Sequence, residues 1–348
     1  MSSKKPIKAS GRRKVGPSRQ LREGLIIATA ALSGCEGIQS TLTPRGPAAE
    51  SIARINWIMF WGATAILLLV MTLALYAVYR HPRKRRPISG NGMIVTGGVI
   101  LPLVALSALL IYGTHGMSNL RHEPYEGALR TMRIEVVGNQ WWWDVYYWIG
   151  DQGTNVITAN EIHIPAGFPV AISVRSNDVI HSFWVPSLAG KIDLVPGKSN
   201  RILLQADRPG VFRGQCAEFC GAQHARMALF VVAESPHTFA TWLAKQRLPD
   251  STPVHPILQR GQDAFVANGC LECHTIRGLG KAKLRGPDLT HVGDRLFLAA
   301  GSIKNNPANL AKIIAHSQFV KPGSAMPSFT ELDSDTLQSI AAYLWSLK

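Results

Sequence analysis

Between Val211 and Val232 the chain reads VFRGQCAEFCGAQHARMALFVV, and Cys216, Glu218, Cys220, His224 and Met227 fall within twelve residues of it. Two thiolates, an imidazole and a thioether so close together form the soft ligand set that copper selects. Val211 and Phe212 before them, and Leu229, Phe230, Val231 and Val232 after them, are short apolar runs of the kind that form sheet strands. The ligands are therefore expected on a loop joining two strands. On a helix, Cys216, Cys220 and His224 would share one face as a buried stripe or a zinc site. Gly214, Gly221 and the strand-like flanks argue against that helix. A Cys216–Cys220 disulfide would leave His224 and Met227 idle. A second histidine is needed to complete the set; His181 in NDVIHSFWVPS, after the turn-like Asn177-Asp178 and just past a strand, is the best candidate.

A second chemical signature lies further on. Cys270-Leu271-Glu272-Cys273-His274 is the attachment motif for c-type haem, with two thiols to bond the vinyl groups and His274 to ligate the iron. Met326 is the one methionine after this motif and the natural second axial ligand, with His291 and His316 as substitutes. Methionine ligation would raise the potential.

The pattern His181, then Cys216, Glu218, Cys220, His224 and Met227, resembles the binuclear copper site, CuA, of cytochrome c oxidase subunit II. The resemblance implies that both thiolates bridge two coppers and that His181 and His224 take one copper each. It also implies that the Met227 sulfur and the Glu218 backbone carbonyl complete the shells. The Glu218 side chain would reach a magnesium ion shared with the catalytic subunit. Gly138-Asn139-Gln140-Trp141-Trp142-Trp143 opens an aromatic segment running to Trp148. By composition this is core and edge packing; the resemblance makes Trp141 the residue where electrons enter the copper domain. Asn139 stands where that motif often has a histidine. Gly261 and Phe265, Gly286-Pro287-Asp288-Leu289, and an apolar helix at Leu337, Ile340, Ala341 and Leu344 resemble a complete small class I cytochrome c.

These sites need a frame. The 348 residues allow two or three domains, and two long uncharged runs point to a membrane protein. The net charge of +15 sits mostly beside those runs: residues 1–24 carry eight Lys/Arg against one acid, whereas residues 118–235 carry ten against eleven. That distribution speaks for topology and targeting and against a nucleic-acid-binding face. Residues 1–34 combine a basic start, a short apolar core at Leu25 to Leu32 and the Leu32-Ser33-Gly34-Cys35 box, as in a lipoprotein signal peptide. Cys35 would then be the lipidated mature N-terminus, followed by a segment to residue 54; an ordinary signal or an uncleaved tail is the alternative.

A transmembrane hairpin is expected over 55–113. Ile55 to Tyr79 is 25 residues without a charge, about 37 Å as a helix. A second span runs from about Met93 to Tyr112. The basic loop between them, Arg80 to Arg86, should be cytoplasmic, which puts both hairpin ends outside. Residues 118–235 show short β-like runs at Met132 to Val137, Glu161 to Ile164, Val170 to Val174 and Arg201 to Gln205, separated by turn residues. This predicts a Greek-key sandwich or barrel, which the resemblance narrows to a cupredoxin-like β domain. Residues 236–256, with four prolines, suit a tether. Residues 257–348 form the all-α cytochrome c domain.

The expected protein is thus an electron-accepting subunit of a terminal haem-copper oxidase, sited in the bacterial inner membrane with its copper and haem domains on the periplasmic face. Electrons would pass from cytochrome c or another external donor to haem c, then to CuA, then to a separate subunit I that reduces oxygen to water with proton pumping, alongside a subunit III. No oxygen-reducing centre lies in this chain. Two rivals are a CuA-bearing small subunit of a nitric oxide reductase and a membrane-tethered electron carrier; the two-span hairpin counts against the carrier, since a lipid or one helix suffices as a tether. A quinol oxidase has no need of CuA. Met93, Ile94 and Val95 offer no carboxylate at the start of the second span, where the family often has one at the mouth of a proton path.

Overall fold

The structure, a computed structural model, describes residues 37–80, 90–118, 132–149, 154–249, 253–280 and 285–348. The signal-like start, Cys35 and the basic residues after Arg80 lie outside the described residues.

Helix α1 spans Pro47–Tyr79, with proline at its first turn where no N–H is needed. It begins ahead of the uncharged run, and in that extension Glu50 and Arg54 pair across one turn at 3.4 Å. The second span is α2 (Gly90–Val95), a π-helical turn (Thr96–Ile100) and α3 (Leu101–Ser118). The π turn falls just before Pro102, which lacks the N–H that a regular helix would use. Both helices are long and apolar enough to cross a membrane. The Thr64 and Thr72 hydroxyls donate back to the Phe60 and Leu68 carbonyls at 2.7 Å, which satisfies them without water. Ahead of α1 the chain lies along the β domain: Arg213 N donates to Ile38 O at 2.9 Å and Arg45 N to Ser187 O at 2.7 Å.

Ten strands build the β domain: β1 (Met132–Asn139), β2 (Trp142–Ile149), β3 (Thr154–Ala159), β4 (Glu161–Pro165), β5 (Val170–Ser176), β6 (His181–Trp184), β7 (Ile192–Leu194), β8 (Asn200–Leu204), β9 (Gly210–Cys216) and β10 (Ala228–Glu234). They form two sheets, ordered β3-β2-β1-β5-β8 and β4-β10-β9-β6-β7. Ile134, Val136, Trp143, Val145 and Tyr147 from one sheet meet Phe183, Leu194, Leu229 and Val231 from the other in a single core. The aromatic segment after Trp141 is therefore strand β2, whose alternate residues Trp143, Val145 and Tyr147 face inward with no exposure. His181 follows β5 across the Asn177-Asp178 turn, as expected, and opens β6.

The stretch expected as a tether opens as helix α4 (Pro236–Gln246). Ser235 caps it by accepting from Thr238 N at 3.2 Å. Phe239 is buried, and Trp242 stacks on His163 at 4.0 Å between ring centroids. Prolines that read as stiffeners of a linker include one at a helix start, where it is pre-shaped for the first turn.

The C-terminal domain contains α5 (Pro256–Ala267), the two-residue strands β11 (Phe297–Leu298) and β12 (Ile303–Lys304), α6 (Pro307–Ala315), α7 (Ser317–Val320) and α8 (Ser334–Ser346). Its core gathers Phe265, Ile314, Ile340, Tyr343 and Leu344. This domain rests on the β domain. Phe230 and Phe297 stack at 4.2 Å, Leu296 N donates to the Glu161 carboxylate at 2.9 Å, and Ala228 N donates to Ala300 O at 2.9 Å.

Candidate metal centres

Strands β9 and β10 pair from Gly210↔Ala233 to Gln215↔Ala228, and the loop they close carries the predicted ligands. Cys216 ends β9, while His224 lies in a short 3₁₀ turn, His224–Arg226, just before Met227. The two thiols stand 3.7 Å apart, too far for a disulfide and close enough to share ions. His181 Nδ1 lies 3.8 Å from Cys216 Sγ, and the Glu218 carbonyl lies 3.2 Å from the same sulfur. His224 Nδ1 and Met227 Sδ each lie 3.8 Å from Cys220 Sγ. All six donors named from the sequence therefore converge, as one cluster on each sulfur. Cys216, Cys220, His181 and Met227 are buried. A soft, dry donor set split over two adjacent sulfurs fits two copper ions.

The electrostatics set the two sulfurs apart. The Cys220 side chain, then His181, push the Cys216 thiol well below the ordinary thiol range, while Cys220, facing that sulfur, is pushed up. Burial opposes a charged His181, yet Cys216 and Asp178 carry it above the ordinary histidine value. Asp178 Oδ1 sits 2.7 Å from His181 Nε2, leaving Nδ1 to face the sulfurs, and Asp178 Oδ2 accepts from Gln140 N at 2.6 Å. An outer carboxylate of this kind fixes ring orientation and raises ligand basicity. Asp178 reads in the sequence only as a turn residue; its spacing of three from His181 was the available signal.

The Glu218 side chain draws no support for magnesium from this chain. Among the described residues, the group of three metal-capable side chains is His181, Cys216 and Cys220.

In the C-terminal domain a cavity of about 450 Å³ is lined by Cys270, Cys273, His274 and Met326 together with apolar side chains. His274 Nδ1 donates to Pro287 O at 2.8 Å, which leaves Nε2 as the acceptor nitrogen. Burial pushes His274 below its ordinary value, in keeping with a neutral ligand. A Cβ at Gly286 would sit 2.8 Å from His274 Cε1, so glycine is what lets the ring seat there. Ser317 Oγ and Gln318 Nε2 donate to the Met326 carbonyl at 2.8 and 2.7 Å, holding its loop. Two thiols, an imidazole and a thioether on one apolar cavity fit haem c. Neither His291 nor His316 lines it.

The two sites share a wall. Trp141 Nε1 and Gln140 Nε2 donate to the Cys220 carbonyl at 2.9 and 2.8 Å, and the same two residues line the cavity of the C-terminal domain. Asn139 donates to Asp144 at 3.1 Å and accepts from Asn177 at 2.9 Å, so it braces this corner from behind. The family resemblance singled out Trp141 but not Gln140, whose side chain has no chemistry of its own to announce.

Comparison with known proteins places both domains in known families. Residues 149–234 match the family described as cytochrome C oxidase subunit II, periplasmic domain, and residues 258–348 match the cytochrome c family. A cytochrome c oxidase subunit 2 of Alkalihalophilus pseudofirmus is 32% identical over 93% of this chain and 96% of its own. The chain belongs to the cytochrome c oxidase subunit II family. A second subunit 2, from Bacillus subtilis, is 26% identical over 93% of this chain and 96% of its own. Among solved structures, the periplasmic domain of subunit II of cytochrome oxidase of Bradyrhizobium japonicum covers 33% of this chain and 93% of its own, with 29% identity and a TM-score of 0.31. Subunit II membership implies CuA, and the cytochrome c domain implies haem c. It makes the chain one part of an oxidase complex with a catalytic subunit, carried by two apolar helices with its folded domains in the periplasm.

Proposed function

We propose that this subunit receives electrons on its own cytochrome domain and hands them to its copper domain through the Gln140–Trp141 corner. Cys270 and Cys273 would anchor the haem with His274 and Met326 as the residues offered to its iron, and His181, Cys216, Glu218, Cys220, His224 and Met227 would hold the copper pair. When bound, the two groups supply one-electron carriage with little rearrangement. The observation that carries the reading is the double contact of Trp141, whose indole touches the Cys220 backbone while its ring lines the cavity bearing Cys270 and His274.

The protein's part is positional. Asp178 orients His181, and burial of both thiols keeps water from the copper loop. Helix α4 packs against the β domain, so the effective concentration of one site beside the other exceeds what a loose tether gives, on the order of millimolar. The domain limits expected from the sequence serve this arrangement, with the hairpin at 55–113 as anchor and Cys35 as a lipid site. Cytochrome c or another external donor supplies the electrons in this reading, and oxygen reduction with proton pumping belongs to subunit I, assembled with subunit III.

The test is a rapid-mixing experiment on the intact, detergent-solubilised protein with both metal sites loaded and the haem reduced first. Copper reduction should be first order, independent of protein concentration, and much slower in Trp141→Ala. A rate proportional to protein concentration, or one that ignores the tryptophan, refutes the route.

A further inference from the structure

Lys321 is a buried cation at the junction of the two domains, 7% exposed. Its ammonium donates to three backbone carbonyls: Trp141 O at 2.7 Å, Arg226 O at 3.2 Å and Ala299 O at 3.4 Å. An ammonium has three N–H donors, and all three are used. No carboxylate among the described residues lies within ion-pair distance of it. An apolar side chain at this point would take this donor away from all three carbonyls, which is costly in a buried junction. Burial, the largest influence, pushes the amine down to about 7.

The three carbonyls are not a random set. Trp141 is the corner residue, Arg226 lies between His224 and Met227 on the copper loop, and Ala299 lies on the haem-cavity wall. Residues on either side of the lysine repeat the same join. Gln223 Nε2 donates to Pro322 O at 2.9 Å and Arg226 donates to Val320 O at 3.1 Å, both from copper loop to cytochrome domain. Lys321 itself lines the haem cavity, five residues before Met326.

Resting on the electron route proposed above, we propose that Lys321 is a positioning residue for haem-to-copper transfer. Its ammonium locks the Trp141 backbone and the copper loop onto the cytochrome domain in a single register. Because it binds main-chain atoms, it fixes where these segments lie whatever their side chains do.

The experiment uses the full chain with copper and haem loaded, and compares wild type with Lys321→Met, Lys321→Gln and Lys321→Arg. First-order haem-to-copper transfer is recorded along with the absorption spectrum and potential of each centre. The expected result for Lys321→Met is a rate lower by at least about tenfold, since small misplacements of reacting groups cost one to two orders of magnitude. Both spectra and both potentials stay as in wild type, and Lys321→Arg recovers part of the rate. Lys321→Gln, which keeps two donors without the charge, should fall between and carries the test if the Met variant does not accumulate. A substituted protein with intact centres and a rate within twofold of wild type overturns the inference alone. So does a lost rate accompanied by a changed haem spectrum, which would trace the effect to the Met326 loop. A wild-type rate proportional to protein concentration overturns the underlying route as well.

Discussion

Asp144 offers a sharp physical test of the β domain. It sits on β2 with 2% exposure; its Oδ2 accepts from Asn139 at 3.1 Å, while Oδ1 has no partner among the described residues. Burial, helped by the Asp288 charge and opposed by Asn139, Arg175 and Arg295, raises the carboxyl from 3.8 to about 7. A rise of about three units corresponds to about 4 kcal/mol. The folded state binds this proton more tightly than the unfolded chain, so the associated stability is full below pH 4 and is lost as pH rises to 7. Asp144→Asn is neutral at every pH and still accepts from Asn139. Its new N–H donors cost about 1–3 kcal/mol if unpartnered. The variant should therefore be stabilised relative to wild type by about 1–3 kcal/mol at pH 8, and destabilised below pH 4. Denaturant unfolding followed by tryptophan fluorescence across pH 4 to 8 measures the gap, and the protonated-carboxyl infrared band tracks the titration directly. A gap that does not change with pH, or a carboxyl that titrates near 4, would refute the argument.

Three further outcomes are expected. Cys216→Ser replaces a soft ligand with a hard one and should abolish the mixed-valence copper signal while leaving the haem spectrum intact, as read by electron paramagnetic resonance. Asp178→Asn removes the carboxylate behind His181 and should weaken copper binding by about 10–100-fold in a chelator competition, the usual cost of losing such a partner. Gly261→Ala places a Cβ 2.0 Å from Ser339 O, a backbone atom on α8 that cannot swing away. It should cost about 1–3 kcal/mol or more in the cytochrome domain, read as a lowered haem-domain melting temperature; unchanged melting would show that α5 and α8 part without penalty.

Much of the chemistry was legible in the chain itself, because covalent spacing dictates which groups can share one loop. Cys216 to Met227 and Cys270 to His274 are local arrangements, and apolar flanks or apolar spans declare their own secondary structure over a few residues. His181 needed more: the fold brings it 35 residues back to Cys216 through strand pairing of β6 with β9. What the sequence did not disclose was made by contacts of low chemical signature across long separations. Helix α4 depends on Trp242 finding His163, and Asp178 acquires its role only once β6 turns the His181 ring. The junction of the two sites is the extreme case. Lys321 meets Trp141 from 180 residues away, and does so through a backbone carbonyl. Every residue owns such a carbonyl, so no pattern of side chains foretells which one a lysine will bind; only the packing of one domain on the other decides it.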